Sequence, residues 1–253
     1  MKVTFLGTGT SQGIPVIGSD HPVCRSEDPR DRRLRVSVLI EWDNFSYVVD
    51  CGPDFRYQML RAGCTKLNGI IFTHEHSDHV AGLDDIRPFV FRQGDMPLYA
   101  HKRVMNAIKR RFDYVFETEN RYAGAPSVDP IEITDQPFQL NGLAVLPINV
   151  MHNTLDIFGF RFRDFTYITD AKYIEPAEIE KIRGTKVLVV NALRESRHVS
   201  HFSLEEAIDF IKLIQPERAY ITHISHVMGF HAEVQERLPD NIYLAYDNLS
   251  ITI

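Results

Sequence analysis

The chain has 253 residues, of which 44% are hydrophobic and 25% are charged, and its formal net charge is −6. This composition is ordinary for a globular protein with a sizeable core, and the negative balance excludes a basic surface built for nucleic acid or an anionic membrane. Three cysteines, an odd and small number, favour reduced thiols in a cytoplasmic protein. No stretch approaches the ~20 apolar residues that span a bilayer, and the amino-terminal run is too short for a signal peptide.

The first part of the chain alternates between strands and turns. Residues 2–6 predict a strand that enters a glycine-rich turn, which lacks the Gly-Lys-Ser/Thr of a phosphate-binding loop. Residues 14–33, rich in Pro, Asp and Arg, predict a loop. The remaining predicted elements of this part are a hairpin of 36–42 and 46–50, a helix over 53–62 that Gly63 ends, and a strand over 69–73.

The second part continues the alternation of strands and helices. The aromatic-rich stretch 112–127 is either a lid or a homodimer contact, and the sequence does not choose between them. The predicted elements are a helix over 102–111, strands within 131–148, a hairpin of 158–162 and 165–169, helices over 176–182 and 204–214, and strands over 186–191, 218–222 and 242–246. No linker interrupts the chain, which predicts one domain over 1–253 with two sheets flanked by helices.

The stretch Thr73-His74-Glu75-His76-Ser77-Asp78-His79 directly follows the apolar run 69–72. His74 and His76 are two residues apart and can converge on one cation at the strand end. Asp78 and His79 lie in the following turn and can reach a second cation. Imidazole and carboxylate ligands suit zinc, manganese or iron. We therefore predict a metal site here.

Single polar residues after three further apolar runs complete this set. His152 follows the run 143–151, Asp170 follows 167–169, and His223 follows 219–222. We predict His74, His76 and His152 on one metal and Asp78, His79 and His223 on the other. Asp170 is then the natural bridging carboxylate. Such a site leaves positions open for a bridging hydroxide, as a hydrolytic centre requires.

The run His74-x-His76-x-Asp78-His79, followed by His152, Asp170 and His223, resembles the metallo-β-lactamase superfamily. The stretches 8–15, 82–88 and 222–226, and His201 before Ser203, resemble the branch of PhnP-type cyclic phosphodiesterases within it. The resemblance implies an α/β fold, an αββα four-layer sandwich with a dinuclear site at one edge. It also implies a metal-dependent phosphodiesterase that cleaves a small cyclic or nucleotide-like phosphodiester, with two divalent ions, Zn²⁺ or Mn²⁺.

The resemblance assigns catalytic roles to two residues. Asp78 binds metal and orients the attacking hydroxide, and His201 acts as the general acid toward the leaving alkoxide. The alternative for His201 is a solvent-facing residue beside the next helix. Arg33, Arg35, Arg56 and Arg87 are candidate clamps for the substrate phosphate, and Arg56 and Arg87 lead because they lie in segments close to the motif.

The same branch carries a structural zinc bound by three early cysteines and a late histidine. Here Ser19 replaces one of these cysteines, and His21 and Cys24 fall at the other positions, with His226 matching the late histidine. A third zinc on His21, Cys24 and His226 and a weakened or lost site are both open, because serine is a poor zinc ligand.

Other functions share this metal set. The tRNA 3′-end endonuclease has the same ligands and general acid, but it grips tRNA with a flexible arm that this sequence lacks, so we expect no nucleic-acid partner. Thioester hydrolysis, as in glyoxalase II, has no need of His201 as an acid. A non-catalytic accessory role, like that of the pyrroloquinoline-quinone biosynthesis B protein, also remains open, although a complete ligand set favours catalysis.

Overall fold

The computed structural model describes residues 1–119 and 121–253, so Asn120, inside the stretch 112–127, lies outside the described residues. Fourteen β-strands are formed within this part of the chain. They are β1 Lys2–Gly7, β2 Ser37–Trp42, β3 Phe45–Val49, β4 Gly69–Ile71, β5 Met96–His101, β6 Val128–Ile133, β7 Phe138–Leu140, β8 Leu143–His152, β9 Leu155–Phe162, β10 Phe165–Tyr167, β11 Val187–Asn191, β12 Arg218–Thr222, β13 Ile242–Leu244 and β14 Ser250–Thr252.

The helices are short, and several occupy the loops around the sheet edges. The α-helices are α1 Phe55–Ala62, α2 Ser77–Val80, α3 Arg87–Gln93, α4 Lys102–Arg111, α5 Asp113–Phe116, α6 Pro176–Ile182, α7 Leu204–Ile214 and α8 His231–Gln235. Single turns of 3₁₀ helix cover Pro22–Arg25, Pro29–Asp31, Leu83–Ile86 and His226–Met228.

The strands form two seven-stranded sheets of mirrored organisation. The first sheet has the order β14-β1-β2-β3-β4-β5-β6, and the second has the order β13-β12-β11-β10-β9-β8-β7. In the first sheet β3 to β6 pair in parallel, whereas in the second β10 to β13 do so. β8 is antiparallel to β9, and β9 to β10, so β8 runs in the same direction as the parallel strands. The carboxyl ends of these strands are therefore available at one edge of each sheet.

Three clusters of buried side chains hold four layers together. The central cluster joins the facing sides of the two sheets, with Phe5 and Val38 from the first and Phe160 and Tyr167 from the second. A second cluster packs α6, α7 and α8 on the outer face of the second sheet. The third packs α1, α3 and α4 on the first sheet. This arrangement is an αββα sandwich, as predicted.

Local sequence signals explain most element boundaries. Helices α4, α6 and α7 have the predicted bounds. Ser203 caps α7, because its hydroxyl accepts from the backbone N–H of Glu206 while the Glu206 carboxylate accepts from that of Ser203. Gly63 ends α1 in the left-handed conformation at φ 63°.

The structure differs from the sequence prediction in the β8–β9 hairpin and in the stretch 112–127. β9 begins at Leu155 and not at residue 158, because its pairing with β8 continues to the contact of His152 with Leu155. The stretch 112–127 contains α5 and is tied to the start of α3, since the Tyr114 hydroxyl donates to Asp84 and Arg87 donates to the Tyr122 hydroxyl.

The described residues contain no helix that is long and apolar enough to cross a membrane.

Candidate metal centre

The predicted ligands converge where strands of both sheets end. They are His74 and His76 after β4, Asp78 and His79 in α2, His152 at the end of β8, Asp170 after β10 and His223 directly after β12. Ligand atoms from both sheets lie within 4.8 Å of one another in each of several groups of three. The site therefore exists only because the two sheets face each other with their strand ends on the same side.

His74, His76 and His152 form one of these groups. The Nε2 atom of His74 lies 3.0 Å from Nδ1 of His76. Nδ1 of His74 lies 3.0 Å from the hydroxyl of Thr73, and Nδ1 of His152 lies 2.9 Å from the carbonyl of Ser200. The carbonyl can only accept, so we assign the His152 proton to Nδ1, which leaves Nε2 of His152 free as a ligand.

Asp78, His79 and His223 form the second group. Nε2 of His79 lies 3.3 Å from Oδ2 of Asp78, and Nε2 of His223 lies 3.8 Å from the same oxygen. His79 is fully buried and His223 nearly so. Burial opposes ionisation of Asp78, but the two rings outweigh it and lower the pKa of this carboxyl. Asp78 is thus held as a carboxylate, the form that binds metal.

Asp170 lies between the two groups. Its Oδ1 is 3.1 Å from Nε2 of His223 and its Oδ2 is 3.4 Å from Nε2 of His79, while it also groups with His74. Despite its burial, the neighbouring rings, His223 first among them, lower the pKa of Asp170. This is the position that a bridging carboxylate requires.

Asp50 supports the centre from behind, and the sequence analysis did not name it. This fully buried carboxylate accepts from the backbone N–H and the hydroxyl of Thr73, both at 2.8 Å. It also lies 2.7 Å from Nδ1 of His79, so the His79 proton is on Nδ1 and Nε2 faces the cluster. The signal was present, because Asp50 is a polar residue directly after a strand, as His223 is.

Three residues of the centre have a left-handed backbone conformation, which residues other than glycine rarely adopt. They are Asp50 at φ 65°, Asp170 at φ 58° and His223 at φ 55°. This conformation costs free energy. It occurs mainly at functional sites, where the surrounding structure enforces it. Here the conformation turns each residue out of its strand and into the cluster.

His201 lies beside the cluster and not in solvent. Its ring is 8% exposed, stacks on His223 with centroids 4.8 Å apart, and contacts His152 at 4.7 Å. Nδ1 of His201 is 3.7 Å from Oδ1 of Asp170. Burial, and next the charge of His223, lowers the pKa of His201 to about 3. His198 stacks on the outer side of the ring at 5.2 Å.

The cluster fits divalent metal ions by its chemistry and by its unpaired atoms. Within the described residues, buried Nε2 of His79 and both ring nitrogens of His223 have no hydrogen-bond partner. Unpaired buried polar atoms are costly, and metal ions would satisfy the two Nε2 atoms, which face Asp78 and Asp170. A mixed set of imidazole and carboxylate ligands suits zinc or manganese. His74, His76, His152, Asp78, His79, His223 and Asp170 would hold the ions.

The structure brings together only part of the predicted third zinc site. The rings of His21 and His226 are in edge contact at 5.0 Å. Nδ1 of His21 accepts from the backbone N–H of Val23 at 3.3 Å, and Sγ of Cys24 is 3.5 Å from the backbone nitrogen of Val16. In the part of the chain that the structure describes, these three side chains do not form a group of converging ligand atoms. The third zinc stays a prediction.

Arg56 and Arg87 lie together, but away from the ligands. Both line a cavity between α1 and α3 whose described lining includes no residue of the metal cluster. Arg87 is engaged by Asp84 at 2.6 Å. Proximity to the motif in sequence therefore did not place these guanidinium groups in the cluster.

The two-sheet sandwich with a cluster of histidines and carboxylates at one edge is the architecture of the metallo-β-lactamase fold. Residues 46–224 match the Beta-lactamase superfamily domain. A crystal structure described as a new diphosphatase from the PhnP family superposes with a TM-score of 0.93 at 37% identity, covering 100% of this chain and 97% of that one. The chain belongs to the β-lactamase superfamily, in its PhnP-like branch.

Two relatives carry other names. An octanoyltransferase from Porphyromonas gingivalis is 40% identical over 256 residues, which cover 100% of this chain and 52% of that protein. A ribonuclease Z from Methanococcus maripaludis is 32% identical over 96 residues, which cover 37% of this chain and 26% of that protein. The chain thus spans about half the length of the first relative and about a quarter of the second.

Proposed function

We propose that the chain hydrolyses a phosphodiester or diphosphate bond in a small cyclic or nucleotide-like substrate, with two divalent ions, zinc or manganese, in the cluster. The observation that carries this proposal is His201, a buried ring that contacts His152 and His223 in addition to the seven residues that would hold two ions; one of its ring nitrogens also lies within 4.8 Å of ligand atoms of His152 and Asp170. A proton donor beside a metal cluster suits the departure of an alkoxide, which is a poor leaving group.

The division of labour follows from what the reaction needs. Phosphodiester cleavage requires an attacking oxygen, compensation of charge on the phosphoryl oxygens and a proton for the leaving oxygen. Bound ions would supply the first two, by acidifying a water and by acting as Lewis acids. Asp78 orients the attacking water through its carboxylate, Asp170 and the histidines fix the ligand geometry, and His201 gives its proton to the leaving oxygen.

Binding of the substrate favours protonation of His201. With its pKa lowered to about 3 by burial, the ring of His201 is neutral at pH 7 in the absence of substrate. A phosphate anion beside the ring raises that pKa, because nearby negative charge favours the imidazolium. Proton donation is thus coupled to the binding of an anionic substrate.

Similarity supports a small phosphorus substrate over a large one. The PhnP-family diphosphatase matches the whole chain at 37% identity, whereas the ribonuclease Z relative matches 37% of it. The net charge of −6 provides no electrostatic attraction for a polyanion such as tRNA.

A leaving-group comparison tests the proposal. Protein loaded with Zn²⁺ or Mn²⁺ is assayed on bis(p-nitrophenyl) phosphate, whose leaving group is a good one, and on a 2′,3′-cyclic nucleotide, which expels an alkoxide. We expect His201→Ala to slow the cyclic substrate by about 10²-fold or more and the nitrophenyl substrate much less. Asp78→Ala should remove both activities. His198→Ala is the matched control, because it removes the neighbouring stacked ring and leaves His201 in place.

Metal content measured on every variant separates catalysis from metal loss. Equal effects of His201→Ala on both substrates, with metal content unchanged, would refute the general-acid role. Absence of turnover on every phosphodiester and diphosphate tested, with the cluster loaded, would refute the phosphorus substrate class.

The octanoyltransferase relative favours a second candidate, hydrolysis of an acyl thioester. That name belongs to a protein about twice as long, and 48% of its length lies outside the match, since the match covers 52%. A thiolate leaves without a proton donor, so this candidate leaves His201 without a role. Octanoyl-coenzyme A hydrolysis that needs the metal and is indifferent to His201→Ala would favour it over the phosphodiesterase.

A further inference from the structure

A cavity of about 500 Å³ lies between α1 and α3, in the helical layer that covers the first sheet. This volume falls within the range of small-molecule sites, roughly 300–1,000 Å³. One part of its wall is apolar and consists of Phe55, Met59, Leu60, Pro88 and Phe89. Leu60 is 64% exposed, so the apolar wall opens to the outside.

Two of the arginines in the wall already have partners. Arg87 donates to Oδ1 of Asp84 at 2.6 Å and to the hydroxyl of Tyr122 at 2.9 Å. Arg92 lies over the ring of Phe89, with its guanidinium carbon 5.4 Å from the ring centroid. Arg92 also donates from Nη2 to the carbonyl of Thr65 at 3.2 Å, so both guanidinium groups have N–H donors already in use.

Arg56 is the third arginine of the wall, and it has no ion pair or hydrogen bond within residues 1–119 and 121–253. Asp85 lines the same wall, and burial, together with the charge of Asp84, raises the pKa of Asp85 while Arg56 and Arg87 oppose that shift. Arg87 is neutralised by Asp84, which is not among the lining residues, so Arg56 and Arg92 share the single lining carboxylate Asp85 and leave one net positive charge beside an apolar wall. The complementary ligand has a single negative charge and an apolar body.

We propose that this cavity binds one amphipathic monoanion, an aliphatic carboxylate, with its head group on Arg56 and its chain against Met59, Leu60 and Phe89. A cationic ligand would be repelled by the surplus positive charge, and a neutral aliphatic ligand would leave Arg56 without an ionic partner. A dianion would exceed the single surplus positive charge of the wall. The proposal is independent of the hydrolytic function, since none of the described lining residues belongs to the metal cluster.

The test is a calorimetric titration of the metal-loaded full chain with sodium decanoate at concentrations below micelle formation. We expect one site per chain, with affinity reduced by about tenfold or more in Arg56→Gln, because a charge-assisted hydrogen bond is lost. Arg110→Gln, which removes an exposed arginine from helix α4, is the matched control and should bind as the unmodified chain does. Leu60→Ser should also weaken binding, and the ¹³C-methyl resonance of Met59 should shift during the titration.

Each competing explanation has its own result. Absence of decanoate binding, or equal binding by Arg56→Gln with its fold intact by circular dichroism, would overturn the site. Equal affinity for acetate would remove the role of the apolar wall, and equal affinity for decyltrimethylammonium would remove the role of charge. Tighter binding of inorganic phosphate, lost in Arg56→Gln, would replace the amphipathic monoanion with a phosphate ligand and so refute the proposal.

Discussion

Asparagine at position 50 tests whether Asp50 prepares His79 for metal binding. In the structure the Asp50 carboxylate accepts from the Thr73 backbone N–H and hydroxyl at 2.8 Å and from Nδ1 of His79 at 2.7 Å. Asparagine has nearly the same shape and tolerates the left-handed backbone at φ 65°. Asp50→Asn therefore changes one acceptor into a donor with little change in packing.

The change acts through the tautomer of His79. The Thr73 backbone N–H needs an acceptor, so the amide oxygen of Asn stays on that side and its NH₂ group faces Nδ1 of His79. Nδ1 must then accept, which moves the His79 proton to Nε2, the nitrogen that faces Asp78 and Asp170 at 3.3 and 3.4 Å. A protonated Nε2 cannot bind metal. Loss of such outer support typically costs 10–100-fold in metal affinity, or about 1.4–2.7 kcal/mol.

Zinc affinity is measured by stepwise titration against a competing chelator, for the unmodified chain, Asp50→Asn and Asp164→Asn. Asp164 is an exposed carboxylate that pairs with Lys186 at 3.0 Å, so its amide variant controls for the loss of one negative charge. We expect weakened binding of one ion only in Asp50→Asn. Zinc affinities of Asp50→Asn and the unmodified chain that agree within about twofold, with unchanged circular dichroism, would refute the tautomer argument.

Three further predictions concern protons and helix capping. Although burial opposes it, Asp78 and Asp50 raise the pKa of His79, so at pH 7 the metal-free ring carries a second proton, on Nε2, besides the one that Nδ1 donates to Asp50. Metal binding at Nε2 must release this second proton, so zinc affinity should fall as pH falls, and calorimetry in buffers of different ionisation enthalpy should report about one proton released per chain. Burial and the adjacent Arg33 lower the pKa of His231 to about 4, below the value of 6.5 expected when unfolded. The unfolded chain thus binds more protons between these values, and the free energy of unfolding should drop by about 2 kcal/mol as pH falls from 6.5 to 4, a slope that His231→Gln should reduce in urea titrations of the metal-free chain. Ser203→Ala removes the cap of α7 and should lower the free energy of unfolding by about 1 kcal/mol, whereas Ser196→Ala, in a loop, should leave it unchanged.

The sequence alone determined the features that depend on neighbours along the chain. The bounds of α4, α6 and α7 follow from periodicity and capping. The close spacing of His74, His76, Asp78 and His79 identifies a metal motif without knowledge of how the strands pack. Asp170 and His223 could be named because a polar residue that ends an apolar run marks the edge of a sheet. The same rule applied to β3 yields Asp50, which is absent from the predicted ligand set.

Tertiary structure decided which distant residues meet. Arg56 and Arg87 are near the motif in sequence, yet α1 and α3 pack on the outer face of the first sheet and direct both residues into a separate cavity. In the sequence a solvent-facing His201 was the alternative to a general acid, and its packing against His223 and His152 buries it beside the ligands. The spacing of residues along the chain determines which side chains one helix or strand places on the same face. The distance between side chains of different elements depends on how the buried faces of the two sheets and their helices pack together.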